Sequence, residues 1–125
     1  MAVQHYQQLL VWQKAMDLAV AVYRASDPFP KSETYRLCDQ LRRCAISVPS
    51  NIAEGQGRNT TPDFLRHLGI ARGSLYEAET QLILAYRLGY LTDELRTALL
   101  SLTGEVGRML NGLTTALERK LAAGQ

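Results

Sequence analysis

Histidine and cysteine are almost missing from this chain of 125 residues, with two of each. That scarcity excludes most metal chemistry. A di-iron or di-manganese site in a helical bundle takes a glutamate from each of two helices and a Glu-x-x-His pair from each of the other two. The histidines here are His5 and His67, and neither has a glutamate three residues upstream. Cys38 and Cys44 do not form the Cys-x-x-Cys pair that zinc sites use. On one helix they would stand about 9 Å apart along the axis and point about 120° apart. A disulfide wants Cα atoms within about 7 Å, so both read as partly buried free thiols. Nucleophilic catalysis is no better supplied. His67 follows Arg66 with no pattern of triad partners, and Gly55-Gln56-Gly57 lacks the lysine and preceding strand of a phosphate loop. No metal and no cofactor is expected, and the chain does not read as an enzyme.

Long apolar runs are missing too. No stretch approaches the roughly 18 uninterrupted apolar residues needed to span a bilayer. Residues 1–8 lack the basic-then-apolar order of a secretion signal, so the expectation is a cytoplasmic chain without membrane contact. Charge of one sign is scarce: fourteen Lys and Arg against twelve Asp and Glu leave +2, little for a nucleic-acid binder. The excess is local, however. Residues 36–72 carry Arg36, Arg42, Arg43, Arg58, Arg66 and Arg72 against Asp39, Glu54 and Asp63, while residues 1–35 balance and residues 73–125 lean negative. Eleven of the cations are arginine, which pairs equally well with carboxylates and phosphates. Strand signals are absent, with no sustained alternation and no Asn-Gly or Asp-Gly turn.

What is present is helical periodicity, in four segments spanning about 9–25, 32–56, 62–88 and 93–121. The first puts Trp12, Ala15, Ala19, Val22 and Tyr23 on one side and stops at Asp27-Pro28-Phe29-Pro30. The second has Ser32 as its N-cap and ends at Gly55 and Gly57. Its stripe of Leu37, Leu41, Ala45, Val48 and Ile52 continues across Pro49. An internal proline removes a donor and clashes with the preceding turn, so this helix is expected to kink there, with Ser47, Ser50 and Asn51 serving the disturbed backbone. The third opens with Thr61 as cap, Pro62 and Asp63, and Gly89 stops it. It carries two lines: Phe64, Leu68, Ala71, Leu75, Ala78, Leu82 and Ala85, and beside them Leu65, Gly69, Arg72, Tyr76, Glu79, Ile83 and Tyr86. The fourth is capped at Thr92 and striped by Leu95, Leu99, Leu102, Val106, Met109, Leu113 and Leu117. Short connections between long helices predict an all-α, antiparallel up-down-up-down four-helix bundle forming one domain.

Three features go beyond the core. Gly69 and Gly73 lie one turn apart inside a helix, each costing about 1 kcal/mol of propensity relative to alanine. They mark a place where another backbone comes close, either a helix of the same chain or a neighbouring subunit. Arg72, Glu54, Glu77 and Glu79, with Arg43, could form a structural polar network. Ile46, opposite the main stripe of the second segment, implies a second covered surface and hence self-association.

Several blocks together resemble a known family. They are Val11-Trp12-Gln13-Lys14-Ala15-Met16, the Phe29-Pro30 turn, Gln40-Leu41-Arg42-Arg43, Ser47-Val48-Pro49-Ser50-Asn51-Ile52-Ala53-Glu54-Gly55 and Ala71-Arg72-Gly73-Ser74-Leu75-Tyr76-Glu77. In these the chain resembles the four-helix proteins encoded in intervening sequences of bacterial 23S rRNA genes, over about residues 9–91. The resemblance implies a short bundle assembling into a homopentameric ring. A relative, the accessory protein of diversity-generating retroelements, binds nucleic acid and its reverse transcriptase through basic ring surfaces. Two functions follow as expectations. One is a non-enzymatic ring associated with RNA or DNA, with Arg42, Arg43, Arg58 and Arg66 as phosphate contacts. The other is a protein–protein adaptor, with a reverse transcriptase or another polypeptide as partner and the arginines paired to Glu54, Glu77 or Glu79.

Overall fold

Proline and apolar periodicity set the element boundaries. The computed structural model describes residues 5–124. Among them are four helices, α1 (Leu10–Ser26), α2 (Leu37–Gln56), α3 (Thr61–Arg87) and α4 (Asp93–Ala122), two 3-10 turns (Tyr6–Gln8 and Lys31–Glu33), and no strand. The all-α expectation holds.

Two starting points differ from the sequence expectation. Ser32 does not cap α2. The chain after Pro30 forms a 3-10 turn instead, and the helix begins only at Leu37. Tertiary contacts override the local signal here: Phe29 is buried against Tyr90, ring centroids 5.4 Å apart, and the Tyr90 hydroxyl donates to Glu33 Oε2 at 3.0 Å. The cap of α3 is Thr60, one residue earlier than expected. Its extended backbone lets Oγ1 accept from the Asp63 amide, which places Pro62 second in the helix. Thr92 caps α4 by accepting from the Leu95 amide, and Gly89, with φ of 82°, ends α3 as expected.

Each helix packs on two neighbours in the cyclic order α1–α2–α3–α4, and no diagonal pair meets among the described residues. Cross-helix partners run in opposite senses. Between α2 and α3, Cys44 meets Gln81, Ser47 meets Ser74 and Asn51 meets His67. Between α3 and α4, Arg72 meets Asn111, Glu79 meets Thr103 and Tyr86 meets Asp93. Ser26, ending α1, receives Arg42 of α2, and Lys14 meets Glu105 of α4. The opposed series show that α3 runs antiparallel to α2 and α4 antiparallel to α3.

The core between them holds Leu18, Val22, Leu41, Val48, Ile52, Leu68, Leu75, Leu82, Val106 and Leu110, all essentially without solvent exposure. Burying a side chain of this kind stabilises by about 1.5–3 kcal/mol. Pro49 is buried inside α2, and the helix runs from Leu37 to Gln56 on both sides of it. On α1 the buried stripe is Val11, Ala15, Leu18 and Val22, which leaves Tyr23 40% exposed. The inner line of α3 alternates leucine with alanine from Leu68 to Ala85, all buried, so small residues let α2 come close. Gly55 serves the same end. It lies buried inside α2 at ordinary φ, and a Cβ there would meet His67 Cβ at 2.7 Å and Phe64 Cδ1 at 3.0 Å. Close packing, not helix termination, requires it.

Candidate functional site

The four arginines expected to touch phosphate occupy different environments. Arg42 faces inward. Its Nε donates to Ser26 Oγ at 2.9 Å and its Nη2 to the Tyr23 carbonyl at 3.0 Å, while the guanidinium lies 4.6 Å from the Tyr23 ring centroid. With Asp27 at 3.9 Å it clamps α2 to the end of α1. Arg43 and Arg58 are exposed and paired one turn back, with Asp39 at 2.9 Å and Glu54 at 3.2 Å. Exposed pairs of this spacing contribute about 0.3–0.5 kcal/mol, so phosphate can replace either carboxylate cheaply. Arg66 is exposed, and its Nη2 lies 3.3 Å from His67 Nε2. Arg42 lies in the second turn of α2 and Arg58 two residues past its C-terminal end, so at 1.5 Å per residue the helix between them alone spans roughly 21 Å. The four do not make one patch.

The Arg66 contact fixes a chain of donors. A guanidinium only donates, so His67 Nε2 accepts and Nδ1 carries the proton, which goes to Asn51 Oδ1 at 3.1 Å. The Asn51 amide nitrogen donates to the Ser47 carbonyl and hydroxyl, and Ser47 Oγ lies 2.8 Å from Ser74 Oγ. With Pro49 beside it, Asn51 joins α2 to α3 through the buried His67.

The residues considered as a polar network are spread over separate contacts. Arg72 donates to Asn111 Oδ1 at 3.1 Å on α4. Glu79 accepts from the buried Thr103 hydroxyl at 2.8 Å. Glu54 holds Arg58, and Glu77 lies beside Cys44. Burial and the Glu77 charge push the Cys44 thiol above its ordinary value, opposed by a hydrogen bond from Gln81. No three His, Cys, Asp or Glu side chains gather as a cation site would need among the described residues. No described helix is long and apolar enough to cross a membrane.

Among the described residues, two exposed surfaces bear on function. The outer face of α3 shows Ile70, Tyr76, Ile83 and Leu84, each 38–54% exposed, beside Gly69 and Gly73, whose Cβ positions meet nothing within 4 Å. Of the two explanations for these glycines, close approach by a helix of the same chain is therefore removed. The second surface was not singled out from the sequence. Tyr35, 90% exposed, projects from the turn before α2 beside Arg36. The available signal was an aromatic outside every apolar stripe with a cation next to it.

Family membership follows from a match over most of the chain. The profile of the 23S rRNA-intervening sequence protein family fits residues 7–112. The chain belongs to this family. A crystal structure of a protein of unknown function from the S23 ribosomal protein family of Bacteroides thetaiotaomicron VPI-5482 is similar to it, with a TM-score of 0.78 at 23% identity, over 85% of this chain and 96% of that one. At that identity the likeness establishes the fold. Among curated proteins, none matches the chain. The family match stops at residue 112, short of the last turns of α4, where Leu113 and Leu117 are half-buried and Leu121 is 42% exposed.

Proposed function

We propose that this member of the 23S rRNA-intervening sequence protein family is a non-enzymatic scaffold that assembles with copies of itself and associates with RNA. The observation that carries the reading is the outer face of α3. Two helix-weakening glycines stand there with open space above them, between exposed isoleucines and a tyrosine. No described residue comes close enough to explain glycine at either position, and a helix of a second copy could lie close against both. The resemblance noted in the sequence gives five as the expected number of copies and a ring as their arrangement. RNA association draws support from Arg43 and Arg58, whose exposed carboxylate partners are easily exchanged, and from Arg66, which has no carboxylate in ion-pair reach among the described residues. Arg42 is left out because its Nε and Nη2 already donate to Ser26 and to the Tyr23 carbonyl and its guanidinium lies over the Tyr23 ring.

Light scattering under native conditions tests the assembly, and filter binding of a structured RNA at low and at higher salt tests the partner. A mass of several subunits and binding that weakens steeply with salt are expected. A monomer, or no RNA retained at low salt, overturns the corresponding half. The exposed isoleucines also favour a second reading, a protein adaptor without nucleic acid. That reading gains if the assembly forms, RNA is not retained, and a purified polypeptide partner binds the α3 face.

A further inference from the structure

We infer that the turn joining α1 to α2 is a contact point for single-stranded RNA, with Tyr35 as the stacking platform and Lys31 and Arg36 as phosphate contacts. The inference rests on the RNA-associated reading and gives it a location away from the arginines discussed above.

The turn is held rigidly from below. Pro28 and Pro30 flank Phe29, which is buried against Tyr90. The Tyr90 hydroxyl donates to Glu33. Backbone bonds from Glu33 to Pro30, Thr34 to Lys31 and Arg36 to Glu33 close three successive turns. On this support Tyr35 stands 90% exposed, the most exposed large apolar or aromatic side chain among the described residues. At that exposure the described residues cover almost none of its ring, so packing within the fold does not explain it. An uncovered aromatic ring on a held backbone offers an unpaired base a stacking partner, because every base has a face for stacking while a duplex hides it.

The charges around the ring are unequal in availability. Lys31, Arg36 and, by the α2–α3 register, Arg87 lie at this end of the bundle, all exposed and without a carboxylate in ion-pair reach among the described residues. The nearby carboxylates are occupied: Asp27 by Arg42, Glu33 by Tyr90, Asp39 by Arg43, Asp93 by Tyr86. Glu94 is exposed as well, without an ion-pair partner among the described residues. Formal charge nearly cancels here, yet each of those four carboxylates has a partner within the chain, while Lys31, Arg36 and Arg87 have none among the described residues and are free to meet phosphate. That asymmetry favours a polyanion over an apolar peptide.

The test is fluorescence anisotropy of a labelled single-stranded oligoribonucleotide, and of the same sequence as a duplex, with the full chain. The single strand should bind more tightly than the duplex. Tyr35→Ala should weaken it roughly tenfold and Tyr35→Phe should retain most of the affinity, as stacking requires. Arg36→Gln should lower the slope of log affinity against log salt by about one. Tyr35 is solvent-facing, so unchanged melting of each variant shows that the fold is intact. If the parent binds and Tyr35→Ala stays within about twofold of it, this site is wrong and the broader RNA reading survives. If the parent does not bind, both fall. If Tyr35→Ala changes the subunit number and leaves RNA affinity alone, Tyr35 is a subunit contact and the inference is overturned.

Discussion

Gly55 and the pair Gly69 and Gly73 are the same residue put to opposite uses. At Gly55 an added methyl group meets His67 and Phe64, because α2 and α3 have closed to the distance that only glycine permits. At Gly69 and Gly73 an added methyl meets nothing. The inner face of α3 is complete within one chain: alternating leucine and alanine, with Asn51 and His67 pairing their polar atoms across the interface. The outer face has the composition of a packed surface without the packing. A side chain's cost is therefore set by what lies opposite it, and the two faces must respond to mutation in opposite ways.

The largest difference is expected for apolar truncation. Leu75→Ala removes a side chain 1% exposed and should cost about 2–5 kcal/mol of unfolding free energy. Ile83→Ala, on the outer face and 38% exposed, should cost well under that in a dissociated chain. Denaturant midpoints measured at high dilution would check both. Equal losses would mean that the outer face is already covered within one chain.

Next comes the glycine comparison itself. Gly55→Ala should destabilise by about 1–3 kcal/mol, since His67 Cβ belongs to a helix packed on both sides and cannot easily retreat. The Gly69→Ala, Gly73→Ala double variant should instead raise the stability of a dissociated chain, by up to about 1 kcal/mol per site from helix propensity. In the assembled protein the same methyls would stand where a second copy approaches, and subunit affinity should fall. Thermal melts across a concentration series separate the two effects. A double variant that gains stability and keeps the parent's subunit number would remove the α3 face from the assembly.

Much of this architecture was legible in the sequence, and the losses have physical causes. The inner line from Leu68 to Ala85 read correctly because a buried helix face leaves an uninterrupted 3.6-residue period. Ser32 misled because a capping side chain reports only local preference, whereas Phe29 and Glu33 are held by Tyr90, 57 residues beyond Glu33 in the chain. Gly55 looked like a stop signal because its actual neighbour, His67, lies across a helix interface. Arg42 looked like a phosphate contact because a sequence does not say which arginines have found internal acceptors. Tyr35 was overlooked for the converse reason: an aromatic outside every periodic stripe, even beside a cation, gives a signal that gains weight only once its surroundings are seen to be empty.

The smallest effect concerns polar atoms at the edge of the same α2–α3 interface. Cys44 is partly buried there, and a thiolate at that place must give up water and face the Glu77 carboxylate. Both raise the thiol's pKa, so alkylation by a neutral reagent should reach half its limiting rate at higher pH than for an unhindered cysteine. Glu77→Gln removes the charge and keeps the shape. The midpoint should then move down, by less than the whole displacement, because burial is the larger cause and remains. The free thiol is the protonated form, so stability should change little below the thiol's ordinary range and fall only where an unfolded chain would ionise first. Mass spectrometry of the labelled chain distinguishes Cys44 from the more deeply buried Cys38. An unchanged midpoint in Glu77→Gln would show that the carboxylate points to solvent in solution, and that this interface is looser at its rim than around His67.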